Sequence, residues 1–432
     1  FALSEEFDTP VLLKMCTRVS HSQSLVELGV REERPCIPYE KNLAKYVMMP
    51  GNAIRRHPFV EERTRKLQEW AETAPINRVE MGGTKMGIIT SSTSYQYVKE
   101  VFGDSVSVLK LGMANPLPVK LLRDFAAKVD QLVVVEELDP IIENHCRALG
   151  LEVSGKDVLP MEGEFSQNLI AARLGGQVHT GAGLDEVIPN RPPVMCAGCP
   201  HRGLFYTLSK NKCTVLGDIG CYTLGALPPL SAMDTTVDMG ASVSMAHGFE
   251  LALADTEHRP IVAVIGDSTF AHSGLSSLIS TVYNRGAGTV CVLDNRTTAM
   301  TGRQGNPFNG VTLQNRPSRE LNIEAVVAAL GVEDVRVVDP NDAAAVRRAL
   351  KEATGSDDIS VIVFRSPCVL LERHVEPPLF VSDSCTACGA CVTLGCPALG
   401  RDETGRALID PALCIGCGHC TQYCRFDAIV KE

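Results

Sequence analysis

Eight cysteines near the end of the chain have a spacing that can hold iron. Residues 385–396 and 414–424 each carry three cysteines in a Cys-x-x-Cys-x-x-Cys run and a fourth cysteine further on. Three thiolates at this spacing curl a loop around three corners of a cubane, and the remote cysteine of the other run supplies the fourth ligand. Zinc is the alternative, but its sites favour separated Cys-x-x-Cys pairs. The crossed pattern predicts two 4Fe–4S clusters, one on Cys385, Cys388, Cys391 and Cys424 and one on Cys396, Cys414, Cys417 and Cys420.

The loops of these runs contain glycines that suit a cluster. Gly389, Gly416 and Gly418 permit left-handed turns and close backbone approach, so we expect backbone N–H groups to point at the cluster sulfurs. His419 lies inside the second run, and we interpret it as a loop residue rather than a ligand.

A further pair, Cys196 and Cys199 in the stretch RPPVMCAGCPHRG, lies far from these two runs. From the residue types alone, the pair could form a zinc knuckle, a redox disulfide or half of another cluster. Five other cysteines have no partners at metal-binding spacing and are predicted to be small core residues, namely Cys16, Cys36, Cys146, Cys213 and Cys291.

Two apolar stretches end in side chains that magnesium prefers. RPIVAVIGD ends at Gly266 and Asp267, and GTVCVLDN ends at Asp294 and Asn295. Parallel strands bring such ends to the carboxyl edge of the sheet, where doubly wound folds bind ligands. Magnesium takes oxygen ligands in near-octahedral geometry and often shares them with phosphates. We predict that Asp267, Asn295 and the backbone carbonyl of Thr297 hold Mg2+; a core region without magnesium is the alternative.

Composition excludes several classes of protein. The chain has 432 residues and a formal net charge of −10, which argues against a nucleic-acid partner. No apolar run reaches the roughly 18–20 residues that a membrane span requires. The chain opens at Phe1 with no signal peptide, and it contains 17 cysteines. Because disulfide frameworks belong to small secreted chains, we expect reduced thiolates and a cytoplasmic location.

Short apolar runs alternate with helix-like segments in two regions, which predicts an α/β fold with two doubly wound parallel-sheet domains. The predicted strands lie in KMGIITSS, VSVLKLG and QLVVVEEL, and then in CTVLGD, RPIVAVIGD, GTVCVLDN and DISVIVFRS. We divide the chain into a connecting region (1–77), a first α/β domain (78–188), a second α/β domain (189–377) and a cysteine-rich tail (378–432).

The tail resembles the two-cluster ferredoxin module of bacteria. Two departures are that four residues, rather than three, precede Cys396, and that Arg425 stands where that module usually has Pro. The two strand ends resemble the thiamine diphosphate motif, Gly-Asp-Gly followed by Asn, with Ser268 as the third residue. MGASVSMAHGFELA resembles the helix that lines the diphosphate pocket. The residues that this resemblance assigns to the cofactor and its magnesium ion are Gly240, Gly266, Asp267, Ser268, Asn295 and Thr297.

Together these parts resemble the 2-oxoacid:ferredoxin oxidoreductases over nearly the whole chain. TSSTSYQYVKEV, LGMANPLP and VVEELDPIIE resemble the large subunit of the indolepyruvate type. The first α/β domain then corresponds to a transketolase C-terminal-like domain and the second to the thiamine-diphosphate-binding domain. In that family a proximal cluster lies beside thiamine. The resemblance implies a third 4Fe–4S cluster on Cys196, Cys199, Cys221 and Cys368.

The resemblance also implies a reaction and partners. We expect oxidative decarboxylation of an aryl 2-oxoacid to its acyl-coenzyme A, with electrons passing to ferredoxin, in a hetero-oligomer with a smaller subunit. His272 is a candidate for proton transfer, and His201 could position thiamine. The alternatives are a related enzyme for aliphatic 2-oxoacids, an electron-transfer subunit without thiamine chemistry, and a non-oxidative thiamine decarboxylase with a vestigial tail.

One expected part is not found in this sequence. The family activates thiamine with a glutamate on a pyrimidine-binding domain, and no segment here resembles that domain. We expect the domain to precede Phe1 and this chain alone to be inactive.

Overall fold

The computed structural model describes every residue except 34, 182, 255, 257–258, 372–375 and 432. The described residues form two units, Phe1–Val187 and Ile188–Glu432. Within them, no helix combines the length and the apolar character needed to cross a membrane.

The first unit begins with a mostly extended, exposed segment that leads into one long helix. Pro50 begins that helix, because proline suits the first helical position, where no backbone N–H is needed. The helices of this region are α1 Ala2–Phe7, α2 Thr17–His21, α3 Leu43–Tyr46 and α4 Pro50–Ala71.

A four-stranded sheet follows, composed of β1 Arg78–Glu80, β2 Met86–Ser91, β3 Ser107–Leu111 and β4 Gln131–Val135. The strand order is β1-β3-β2-β4, with β2, β3 and β4 parallel and β1 antiparallel at the edge. The strands predicted from sequence are confirmed as β2, β3 and β4, whereas β1 was not predicted. The helices of this sheet are α5 Ser94–Phe102, α6 Val119–Ala126, α7 Ile141–Ala148 and α8 Gln167–Leu174.

Both faces of this sheet are covered. Successive strand residues point to opposite faces, so Ile88 packs with α5 and α8 while Ile89 packs with α6 and α7. The first sheet is therefore doubly wound, as expected.

The second unit contains a six-stranded parallel sheet with the order β6-β5-β7-β8-β10-β9. Its strands are β5 Thr214–Gly217, β6 Thr235–Thr236, β7 Ile261–Gly266, β8 Thr289–Asp294, β9 Asp334–Val338 and β10 Ser360–Arg365. The central strands β7 and β8 are buried along their whole length. This explains their continuous apolar sequence, because helices cover both faces of a parallel sheet.

The helices of this sheet divide between its two faces. One face carries α9 and α14, and the other carries α10, α12 and α13. Their bounds are α9 His201–Asn211, α10 Ala241–Leu253, α11 Asp267–Thr269, α12 Leu275–Tyr283, α13 Ile323–Ala329 and α14 Ala343–Ala353, with a π-helical turn at Phe270–Gly274 between α11 and α12.

The cysteine-rich tail is a small part of the second unit. Two antiparallel pairs, β11 Phe380–Val381 with β14 Ile429–Val430 and β12 Leu399–Arg401 with β13 Ala407–Ile409, frame two 3-10 helices, Val392–Leu394 and His419–Tyr423. The tail packs on α9 and α14. The ring of Tyr423 lies 4.4 Å from that of Tyr206, and Gln422 accepts a hydrogen bond from Ala343 N–H at 2.8 Å.

A close approach at Gly203 of α9 yields a stability prediction. A Cβ atom at this position would lie 2.3 Å from the carbonyl oxygen of Pro340 and 2.8 Å from Nε2 of His419 in the tail. We expect Gly203→Ala to destabilise the second unit by about 1–3 kcal/mol, because overpacking forces the backbone apart. Thermal unfolding of the iron-loaded chain measures this.

Gly248→Ala is the matched control, because that helical glycine has no atom within 4 Å of an added Cβ. We expect this change to stabilise the chain by about 0.5–1 kcal/mol. Equal effects of the two substitutions would contradict the packing argument.

Candidate functional site

The carboxyl ends of β5, β7 and β8 open into one cavity. The register pairs Gly266 with Leu293, so Asp267 and Asp294 follow side by side at the same edge. Residues from these strand ends and from neighbouring loops line the cavity, among them His201, Gly220, Cys221, Tyr222, Met239, Gly266, Asp267, Ser268, Asn295, Thr297 and Met300. The structure thus brings together five of the six predicted cofactor-binding residues.

Asp267 is the most informative residue of this cavity. Its side chain is buried, and Oδ1 accepts a hydrogen bond from Ser268 N–H at 2.6 Å. Oδ2 is buried without any hydrogen-bond partner among the described residues. Burial raises the pKa of this carboxyl to about 6. A buried carboxylate oxygen without a partner is costly, and a divalent cation with oxygen ligands would satisfy it.

Asn295 and Thr297 complete the polar side of the cavity. Asn295 Oδ1 accepts from Thr297 N–H at 3.2 Å, and Asn295 Nδ2 lies 3.3 Å from Nε2 of His201. Burial lowers the pKa of His201 to about 4, so the ring is neutral and Nε2 can accept this hydrogen bond. This contact sets the orientation of the Asn295 amide and so provides a neutral oxygen beside the Asp267 carboxylate. The carboxylate of Asp267 and the amide oxygen of Asn295 are ligand types that suit a magnesium ion bound to a diphosphate.

Asn306 was missed by the sequence analysis. Its side chain lies close enough to the Asp267 carboxylate to lower the pKa of that group, although its buried Nδ2 makes no hydrogen bond of good geometry among the described residues. It sits in the irregular stretch after Thr297, where nothing in the sequence pattern marks it. The amide therefore offsets part of the cost of burying the Asp267 carboxylate.

Gly240 lies next to the cavity rather than in its lining. It has φ 110°, and a Cβ there would lie 2.4 Å from Cβ of Ser273. Its N–H donates to both carboxylate oxygens of the fully buried Asp218, at 2.7 and 2.9 Å, and Ser242 Oγ donates to Oδ2 at 3.3 Å. Asp218 therefore fixes the start of α10 at the end of β5.

Asp218 was not predicted as a functional residue, although the sequence contains a pattern that could have identified it. The stretch VLGD ends β5 as VIGD ends β7. The two Gly-Asp pairs occupy equivalent strand ends in the structure, but both oxygens of Asp218 accept hydrogen bonds, whereas Oδ2 of Asp267 has no partner among the described residues.

A salt-bridge network fixes the end of β8. Asp294 is buried and accepts from Arg365 Nε at 2.7 Å, and the two terminal nitrogens of Arg365 donate to Glu324 at 2.8 and 2.7 Å. Arg296 lies 3.4 Å from the other Asp294 oxygen. Asp294 is therefore a structural anchor that holds the adjacent Asn295 in place.

His272 lies in the π-helical turn that follows α11. Its side chain is exposed, its Nδ1 is 2.6 Å from Ser273 Oγ, and it does not line the cavity. The geometry gives it no access to a group bound beside Asp267.

The two tail sets of cysteines surround two separate cavities. Cys385, Cys388, Cys391 and Cys424 line one, and Cys396, Cys414, Cys417 and Cys420 line the other. Each cavity is otherwise mostly apolar. Each fourth thiol comes from the opposite run, which is the crossed arrangement expected from the sequence.

Left-handed backbone shapes both loops. The φ angles are positive at Gly389, Gly416 and Gly418, at 74°, 69° and 74°. Ala387, which corresponds in the first run to Gly416 in the second, also has a positive φ of 58°. The backbone N–H groups of Ala387 and Ala407 lower the pKa of the Cys385 thiol, together with Arg406. The loops therefore present donors to sulfur.

The third set of cysteines, Cys196, Cys199, Cys221 and Cys368, shows electrostatic interactions between its members. Burial raises the pKa of Cys199 to about 12, with smaller contributions from the neighbouring thiols of Cys196 and Cys221. Burial likewise raises the pKa of Cys221, with contributions from Cys368 and Cys196. Cys221 also lines the cavity with Asp267, and Cys368 N–H donates to Asn295 O at 3.1 Å. One thiol of this set, that of Cys221, therefore lies in the wall of the cavity that contains Asp267.

Zinc and disulfide interpretations fit this geometry less well than clusters. Within the described part of the chain, no three His, Cys, Asp or Glu side chains converge closely enough for a single metal ion. All 17 cysteines are described, and each is a free thiol. A cubane separates its four ligands more widely than one zinc ion does, so open sets of thiols suit iron–sulfur clusters.

Replacing Asp267 by asparagine should have opposite effects on binding and on stability. We expect Asp267→Asn to weaken magnesium-dependent binding of thiamine diphosphate by at least about 100-fold, because a ligating carboxylate is lost. Without cofactor we expect the variant to be about 1–3 kcal/mol more stable, because a buried unpaired carboxylate is removed. Calorimetry and thermal unfolding measure the two effects.

Asp358→Asn is the matched control, because Asp358 is exposed and remote from the cavity. It should change neither quantity. A loss of cofactor-free stability in Asp267→Asn would contradict the interpretation of Asp267 as an unsatisfied ligand.

The iron content tests the three cysteine sets. We expect about twelve iron and twelve sulfide atoms per chain after anaerobic purification, since each cubane holds four of each. Cys221→Ser should remove about four, whereas Cys213→Ser should remove none. About eight atoms in the unsubstituted chain would mean that only the tail sets bind clusters.

Comparison with known proteins places this architecture in a family. Residues 218–364 match the model of the C-terminal TPP-binding domain of thiamine pyrophosphate enzymes, and residues 378–425 match a 4Fe-4S dicluster domain. Most residues that line the cofactor cavity and the two tail cavities lie within these matched ranges. The exceptions are His201 in the cofactor cavity, Ala197, Gly198 and Arg202 in one tail cavity, and Phe426, Ala428 and Ile429 in the other.

Relatives match over the whole length of the chain. The indolepyruvate oxidoreductase subunit IorA of Thermococcus kodakarensis is 38% identical over 99% of this chain and 74% of its own length. The subunits of the same name from Pyrococcus horikoshii and Archaeoglobus fulgidus are 36% and 37% identical, over 100% and 99% of this chain and 74% and 73% of their own lengths. The chain therefore belongs to the indolepyruvate oxidoreductase subunit family, with a thiamine-pyrophosphate-binding domain followed by a 4Fe-4S dicluster domain.

Proposed function

We propose that this chain forms the thiamine-binding and cluster-binding part of an enzyme that, with a pyrimidine-binding domain and a smaller partner subunit, oxidatively decarboxylates aryl 2-oxoacids of the indolepyruvate type. The products are carbon dioxide and the aryl-acetyl-coenzyme A, and the two electrons released pass to ferredoxin. The observation that carries the proposal is the shared cavity, in which the unpartnered carboxylate oxygen of Asp267 lies in the same lining as Cys221.

Asp267, Asn295 and the Thr297 carbonyl would hold Mg2+ and through it the diphosphate. Thiamine diphosphate, when bound, supplies the carbanion chemistry that releases carbon dioxide from a 2-oxoacid. The chain contributes binding and orientation. Asp218 and Gly240 fix one wall through the start of α10, and the Arg365 network fixes the opposite strand end.

His201 and Tyr222 shape the inner wall of this site. Both are buried, and their rings meet edge to face with centroids 6.1 Å apart. The Tyr222 hydroxyl donates to Ile219 O at 3.1 Å, and burial raises its pKa. Two neutral side chains here would exclude water and add no charge beside the magnesium ligands.

The order of the cysteine sets supports one-electron transfer away from the cavity. Cys221 borders the cofactor cavity, while Ala197 and Gly198, between Cys196 and Cys199, line the cavity of Cys396, Cys414, Cys417 and Cys420. Clusters held by these sets would supply one-electron carriers, so that a two-electron oxidation can serve an acceptor such as ferredoxin. The free state of every cysteine also supports a reducing compartment, the cytoplasm.

An aryl substrate is supported by the names of the relatives and by the cavity mouth. Ile219, Met239 and Met300 line the cavity with side chains that are 40–51% exposed. Thioether sulfur makes favourable contacts with aromatic rings, and methionine adapts to irregular shapes. A flexible apolar mouth suits an indole or phenyl ring better than the charged end of a dicarboxylic 2-oxoacid.

The assay compares indolepyruvate and phenylpyruvate with pyruvate and 2-oxoglutarate, using this chain together with the pyrimidine-binding domain of its family, the partner subunit, coenzyme A and ferredoxin. We expect kcat/KM to be at least about tenfold higher for the aryl acids. Met239→Ala and Met300→Ala should raise KM for the aryl acids by about tenfold, a hydrophobic loss typical of such pockets.

Met161→Ala is the control, since Met161 has a similar exposure of 47% and lies in the first unit. Equal rates with aryl and aliphatic acids would favour the broader 2-oxoacid alternative. Absence of magnesium-dependent thiamine binding would instead favour an electron-transfer subunit. Decarboxylation without cluster reduction by substrate and coenzyme A would favour a non-oxidative decarboxylase.

A further inference from the structure

Arg202 of α9 is a buried cation whose partners are backbone carbonyls. Its side chain donates to Met195 O at 2.8 Å and to Cys196 O at 2.9 Å through Nη2, and to Leu394 O at 3.1 Å and to Gly395 O through Nη1. Arg202 is 2% exposed, and its Nε has no hydrogen-bond partner among the described residues. In the same described part of the chain, no acidic side chain lies within ion-pair distance of it.

A buried guanidinium without a counter-ion is unfavourable. Removing such an ion from water costs several kcal/mol, which neutral carbonyls offset only in part. Arg202 lines the same cavity as four thiols that could carry negative charge, those of Cys396, Cys414, Cys417 and Cys420. Clusters bound by the cysteine sets as thiolates would carry the compensating negative charge.

The position of Arg202 links two of these sets. Its guanidinium lines the cavity of Cys396, Cys414, Cys417 and Cys420. The carbonyls that it binds belong to the loop of Cys196 and to Leu394 and Gly395, directly before Cys396. One side chain thus joins the loop of the third cysteine set to the loop of this tail set.

We propose that Arg202 is the counter-charge for the electron held at the tail set Cys396, Cys414, Cys417 and Cys420. The inference rests on the proposed function, because it requires a cluster at that set. A cubane held by four thiolates is anionic, and reduction adds one electron and hence one further negative charge. A guanidinium that is always charged and shielded from water stabilises that added charge and raises the reduction potential of the set.

The other tail set has a different electrostatic environment. Arg401 lies against Gly389, so that a Cβ there would be within 1.9 Å of Nη2, but Arg401 is exposed. Solvent screens an exposed charge far more than a buried one. Arg401 therefore acts as the matched control cation for the set Cys385, Cys388, Cys391 and Cys424.

The test is a redox titration of the anaerobically purified full chain, followed by electron paramagnetic resonance. We expect Arg202→Gln to lower the reduction potential of one tail cluster. The expected change is about tenfold in the equilibrium constant for reduction, which is 59 mV for a one-electron couple. The cluster on Cys385, Cys388, Cys391 and Cys424 should not change, because Arg202 does not line its cavity. Arg202→Lys, which keeps the charge, should stay within about threefold of the unsubstituted chain. Arg401→Gln should move only the other tail cluster, and by less.

Assignment and loading are checked in the same samples. Cys417→Ser identifies which resonance belongs to the set beside Arg202, and iron content reports loading. An unchanged potential in fully loaded Arg202→Gln would overturn the proposal, as would equal shifts in Arg202→Lys and Arg202→Gln, since the effect would then follow geometry rather than charge.

A variant that fails to load also gives an answer. Arg202→Met is included because an apolar side chain leaves no unpaired donor in the space of the guanidinium. Loading of Arg202→Lys but of neither neutral variant would support the proposal, because charge is then required. Failure of all three would contradict it. An unsubstituted chain without tail iron would instead refute the proposed function itself.

Discussion

The central constraint on the second unit is the Asp267 carboxylate, whose Oδ2 is buried without a hydrogen-bond partner among the described residues. Asp267 is placed at the edge of the sheet by the register of β7 with β8, and Oδ2 is buried there without a donor among the described residues. Burial of this carboxylate is unfavourable, and a bound cation would relieve the cost. The neighbouring elements reinforce that position: Asp218 fixes α10, and the network of Asp294, Arg365 and Glu324 fixes the end of β8.

The same reasoning applies to the buried thiols. Burial raises the pKa of Cys199 and Cys420 to about 12, so both thiols are neutral at physiological pH unless a metal binds them as thiolates. The tail has a small apolar core and short strands, and domains of this size generally need metals or disulfides for stability. Iron would thus hold the tail together as well as carry electrons, and the contact of Tyr423 with Tyr206 joins that tail to α9.

Helix α9 connects the parts that a thiamine-dependent oxidoreductase must coordinate. His201 contacts Asn295, Arg202 reaches the loops of two cysteine sets, and Gly203 lets the tail approach. Three consecutive residues therefore face the cofactor cavity, the cysteine loops and the tail. A shift of this helix would alter all three together, which couples the geometry of decarboxylation to that of electron removal.

The sequence by itself determined the parts whose signal is local. Apolar runs predicted the strands β2–β5, β7, β8 and β10, the cysteine triplets predicted both tail sets, and Gly389, Gly416 and Gly418 predicted left-handed turns. Only the tertiary structure decided which of the two Gly-Asp strand ends keeps an unsatisfied oxygen, and that His272 is exposed. It also decided that Asn306 lies near Asp267 and that Arg202 lines the cavity of one tail cysteine set. The edge strands β1 and β9 and the short β6 also escaped prediction. The physical reason is that burial and hydrogen-bond satisfaction depend on neighbours distant in the chain, whereas strand periodicity and loop spacing depend on neighbours along it.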